Sequence, residues 1–81
     1  MDQQLKNITS KHMMFVGKNI QSIFVACCDV EEHTEVKCFS SFDEVFSCGV
    51  DVTKIKVIFE DSSWSTLEKV KGDFVWQYCG D

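Results

Sequence analysis

The chain predicts an α+β domain. The expected core is a mostly antiparallel sheet of five to six short strands, with one short helix at about residues 41–48 between strands 3 and 4. Three observations lead there. Residues 54–60 alternate with period two, Ile55, Val57 and Phe59 on one side and Lys54, Lys56 and Glu60 on the other. Ser41, with Glu44 three residues later, has the form of a helix capping box. Short polar turns then divide the remaining apolar runs into strand-length pieces.

The elements follow in order. Residues 2–11 are polar, with Leu5 and Ile8 three apart, and read as a short helix capped by Asp2 or as a frayed lead-in. Residues 12–16 read as a first strand, closed by the turn Gly17-Lys18-Asn19. Ile20–Cys28 is the strongest strand. Ile23, Val25 and Cys27 line one face, and Phe24, Ala26 and Cys28 the other. With both faces apolar, this strand is expected in the centre of the sheet. An acidic loop at residues 29–33 precedes a third strand at 34–39.

The helix at 41–48 puts Phe42, Val45 and Phe46 on one face and has Gly49 where a C′ glycine would end it. Residues 64–70 carry two periods. Trp64, Leu67 and Val70 fit a helix capped by Ser65 and Glu68, while Trp64, Thr66 and Val70 fit the second strand of a hairpin. Aromatic and β-branched residues beside the polar turn Asp61-Ser62-Ser63 favour the hairpin. Lys71-Gly72-Asp73 turns the chain into a last strand at 74–78. Ile23, Val25, Val57 and Phe59 are the expected core. At 81 residues the chain has room for one domain, spanning 1–81.

Composition narrows the function. Thirteen carboxylates face eight basic residues, all of them lysine, for a net charge of −5. That field disfavours direct nucleic-acid binding, and without Arg there is no bidentate fork for phosphate or guanine. No apolar stretch is long enough to span a bilayer. Five cysteines are an odd number, and Cys27 and Cys28 are adjacent. They read as reduced, buried, small hydrophobes in a cytoplasmic protein.

Catalytic and cofactor chemistry finds no motif. The nearest approach to zinc ligand spacing is Cys28 with His33, completed by Cys38 and Cys48, and it lacks a Cys-x-x-Cys pair. Cys48 falls at the C-terminal end of its helix, where the dipole disfavours a thiolate. The four glycines are isolated, so no phosphate cradle forms. The expectation is a protein that is not an enzyme and holds no metal or cofactor.

What remains is a small acidic binding protein that inhibits or sequesters a partner protein by occupying its surface. The expected partner has a basic surface, such as that of a nucleic-acid-binding enzyme. The expected contact residues are Asp29, Glu31, Glu32 and Glu35, dense within seven positions, with Ile58 and Trp64 as apolar anchors. Short, acidic, single-domain and free of catalytic motifs, the chain resembles in general character the small bacteriophage accessory proteins that block a host enzyme or defence complex. Two alternatives stand beside this reading. One is an oligomer, a homodimer for instance, that sequesters a nucleotide-like anion between Lys54, Lys56 and a stacking Trp64 or Trp76. The other is a DNA mimic built from Asp29, Glu31, Glu32, Glu35, Asp43, Glu44, Glu60 and Asp61.

Overall fold

The computed structural model describes residues 3–28, 34–47 and 52–80. Its elements run α1 (Gln3–Val16), β1 (Ile20–Cys28), β2 (Thr34–Phe39), α2 (Phe42–Ser47), β3 (Val52–Phe59), β4 (Trp64–Val70) and β5 (Asp73–Cys79). The five strands form one antiparallel sheet in the order β2-β1-β3-β4-β5. This is the expected α+β class, with residues 64–70 as a hairpin strand.

One element differs. Residues 12–16 are not a strand but the last turn of α1, so the short helix precedes the third strand instead of following it. Leu5, Ile8, Thr9, His12, Met13 and Val16 recur every three or four residues and make one helical face. The consecutive apolar run from Met13 to Val16 hides that period. Gly17 is the C′ residue that ends the helix. Its φ is +64° and its N–H donates to the Met13 carbonyl at 2.9 Å.

The core lies between the sheet and both helices. Leu5 of α1 and Val45 of α2 meet Ile23, Val25, Ile55, Val57, Phe59 and Leu67 of the sheet, all buried. The four residues expected to form the core are therefore in it, each with no exposed surface. Burial of a side chain of this size contributes roughly 1.5–3 kcal/mol.

α2 begins close to the expected box. The Glu44 N–H donates to Ser41 Oγ at 3.4 Å, while Glu44 Oε2 reaches one residue further back and accepts from the Ser40 N–H at 2.9 Å. Gly49 and Cys48 lie outside the described residues.

The turns set the registers. Lys71 and Gly72 both have positive φ, +51° and +86°, the signature of a type I′ hairpin whose twist matches the strands it joins. At the β3–β4 turn Ser62 takes the left-handed conformation at φ +74°, with its N–H on the Phe59 carbonyl at 3.0 Å.

β1 is an interior strand, between β2 and β3, while β3 holds the middle of the sheet. Both helices cover the same face, that of Ile23 and Val25. Neither helix covers the second apolar face of β1, and it is open among the described residues.

Candidate binding face

The uncovered face follows from strand alternation. Cross-strand register places Ser22, Ile58, Trp64 and Cys79 in one row. Cys38, Phe24, Lys56, Thr66 and Gln77 form the next, and Val36, Ala26, Lys54, Glu68 and Val75 the third. Successive residues on a strand point to opposite sides, so these rows share the side opposite the core. Val36 is 64% exposed, Val75 43% and Trp64 36%, whereas Ile58 and Phe24 are half-buried by their neighbours.

Two lysines cross the middle of this face. Lys54 Nζ pairs with Glu68 Oε1 at 3.0 Å. Both are exposed, so the pair contributes little to stability. Lys56 Nζ stands 5.3 Å from the centre of the Trp64 ring, a cation–π contact. Phe24, Ala26, Val36 and the stems of the two lysines line a shallow apolar depression of about 140 Å³. The face thus offers a flat aromatic anchor, an apolar hollow and one ammonium held over a ring. That arrangement suits surface recognition. Among the described residues it presents no nucleophile paired with a base, as covalent chemistry would need.

Ile58 and Trp64, expected as anchors, are brought together as direct cross-strand partners here. Trp76 belongs to the opposite side. Asp29, Glu31 and Glu32 lie outside the described residues, as does the side chain of Glu35, whose backbone on β2 pairs with Cys27 of β1. Cys38 and Cys79 depart from the expectation of buried thiols. Both are exposed, because their strand positions point them to the open face. Of the four residues that come nearest to zinc-ligand spacing only the Cys38 side chain is described, and no three metal-ligating side chains converge among the described residues. Lys56 beside Trp64 belongs to the alternative ligand-binding expectation, whereas Phe24 and Val36 were not expected on a binding face. The signal for them was the second apolar face of β1.

Two polar clusters lie elsewhere. At one end of the sheet, Lys18 Nζ donates to Ser63 Oγ at 3.1 Å and Tyr78 Oη at 2.5 Å, and forms an ion pair with Asp61. Asp61 Oδ1 accepts from the Ser63 N–H at 3.0 Å and the Ser63 hydroxyl at 2.5 Å. The hydrogen bond from Lys18 is the main cause that holds the Asp61 carboxyl well below the usual carboxylate range and the Tyr78 phenol below its ordinary value. The same contacts raise the Lys18 ammonium, Asp61 first. These contacts make the cluster a clasp joining the α1–β1 corner to the β3–β4 turn.

The second cluster is inside the helix–sheet layer. The His12 ring lies 4.8 Å from that of Trp76, nearly parallel at 9°, and His12 Nε2 is 2.8 Å from the hydroxyl of buried Ser65. Burial pushes the His12 imidazole pKa below its ordinary value of 6.5. Phe42 of α2 meets Trp76 edge-on at 6.1 Å. Nearby, Thr9 Oγ1 and Trp76 Nε1 are buried with no hydrogen-bond partner among the described residues. These groups fix α1 on the sheet.

No helix among the described residues is long and apolar enough to cross a membrane. No family model matches the chain, and neither does any curated protein or solved structure.

Proposed function

We propose that this chain is a non-enzymatic binding protein that inhibits or sequesters a partner protein by laying the open face of its sheet against it. One observation carries the reading. Both helices cover one side of the sheet, and the bare side holds Trp64, Ile58, Phe24, Val36 and Val75. Aromatic anchors on a rigid, flat support are the groups that carry most interface energy. The net charge of −5 supplies long-range attraction to a basic partner, with the acidic residues 29–35 as the steering element. Such a partner would be a nucleic-acid-binding enzyme or a comparable cytoplasmic protein, blocked sterically.

The test is a photo-crosslinking residue at Thr66, on this face, against one at Asn7, on the α2 side of α1, each in lysate of the native host. A specific adduct from Thr66 with none from Asn7 supports the reading. Adducts from Asn7 alone overturn it.

A second reading rests on Lys56 above Trp64 beside the apolar hollow. The same groups could hold a nucleotide-like anion, the base on the indole and the phosphate on Lys54 and Lys56. A rise in melting temperature with nucleotide and no protein partner would favour it.

A further inference from the structure

β5 is an edge strand of a kind that proteins usually protect. Among the described residues its outer side has no neighbour in the sheet, and between Asp73 and Cys79 it carries neither a charge nor a proline. The opposite edge, β2, is better guarded. It is one residue shorter and bears Lys37.

Register tells which backbone groups are free. The type I′ turn makes Val70 and Asp73 a hydrogen-bonded pair. Bonded pairs then alternate along the hairpin, so Asp73, Val75, Gln77 and Cys79 face β4. The N–H and C=O groups of Phe74, Trp76 and Tyr78 point outward. These three are symmetric about Trp76. An antiparallel copy of β5 centred on Trp76 would match Phe74 with Tyr78, Trp76 with itself and Tyr78 with Phe74, using every outward group. The cross-strand side-chain pairs would be aromatic with aromatic, and Val75 with Gln77 on the open face, with no like charges opposed.

The helix layer supplies a second, independent match. His12 touches both Ser65 of β4 and Trp76 of β5, so α1 lies above these two strands. With strands about 4.8 Å apart, a two-fold axis beyond β5 would set the two α1 helices roughly 10 Å apart, the ordinary helix-packing distance. The flank of α1 turned that way carries Ile8, which lines a groove with Phe74, and Phe15, 79% exposed. The end of α1 near Leu5 lies by Phe74 and its other end leads to the clasp at Tyr78. The symmetry-related helix is therefore antiparallel, and Phe15 of one copy falls against Ile8 of the other.

We propose that the partner of the β5 edge is a second copy of this chain, giving a two-fold dimer with one continuous ten-stranded sheet and α1 packed on α1. The assembly leaves the open face free on both copies, so it stands or falls apart from the binding reading above. The contact presents roughly 800–1,000 Å² over the two copies together, below the usual size of stable interfaces, so association is weak, in the micromolar range. Two chains of charge −5 repel, and added salt strengthens the dimer by screening them.

Sedimentation equilibrium under reducing conditions, from about 1 to 200 µM, tests this. The expected result is reversible dimerisation that tightens with salt and weakens at least about tenfold in Phe15→Glu, whose melting temperature should stay near wild type. A Val75→Cys/Gln77→Cys variant of a chain whose native cysteines are replaced by serine, oxidised, should give an intermolecular disulfide that the cysteine-free parent does not. A wild-type monomer throughout that range overturns the proposal. So does a dimer indifferent to Phe15→Glu, or the absence of the intermolecular disulfide.

Discussion

Ile58 and Trp64 stand opposite each other across the β3–β4 ladder, on the side of the sheet that neither helix covers. Their strands place them there. Ile55, Val57 and Phe59 turn inward, so Ile58 turns outward, and Leu67 is buried on β4 while Trp64 remains exposed. The sheet therefore has one side that makes the fold and one that is spare.

That division predicts unequal sensitivity to substitution. Val25→Ala, in the core, should cost about 2–3 kcal/mol by lost transfer energy and cavity formation. Val36→Ser, on the open side, should stay within about 0.5 kcal/mol. Urea melts of the two variants check this, and similar losses in both would mean that the open side is covered in the free protein.

Thr9 offers a stabilising change. Its hydroxyl is buried without a hydrogen-bond partner among the described residues. Thr9→Val keeps the shape and removes the unsatisfied group, and should raise stability by about 1 kcal/mol. A loss of that size in a urea melt would mean that the hydroxyl is satisfied after all.

His12 makes part of the stability depend on pH. Its folded pKa is lowered by burial, so below 6.5 the unfolded chain binds the proton more readily. Stability should be level for this group above pH 6.5 and fall as pH drops below it. His12→Gln should flatten that limb. Urea midpoints at pH 7.5 and pH 5 measure it, and an equal acid loss in the variant would remove His12 as the cause.

Much of this fold was legible because its periods are local. Residues 54–60 alternate without a break in the inward row, and the capping box at Ser41 marks α2 to within a residue. The first helix was harder. Met13, Met14, Phe15 and Val16 are apolar in succession because two of them, Met14 and Phe15, point to solvent. A buried face and an exposed apolar flank overlap there, and the pattern imitates a strand. The site was half legible. Ile58 broke an outward polar row and Trp64 began a hairpin strand, which local pattern can show. Phe24 and Val36 join them only through pairing between β1, β2 and β3, and that register is set by tertiary structure. An apolar second face on β1 reads equally as a strand covered twice or as a surface awaiting a partner.

The central claim is that the open face is the binding surface, and the dissociation rate of a captured partner tests it most directly. Trp64→Ala and Phe24→Ser should each speed dissociation about tenfold or more, with association and circular dichroism little changed, because lost anchors act on the off-rate. Glu31→Lys/Glu32→Lys should instead slow association and reduce its salt dependence. Dissociation unchanged in both Trp64→Ala and Phe24→Ser would contradict the account and place the interface elsewhere on the molecule.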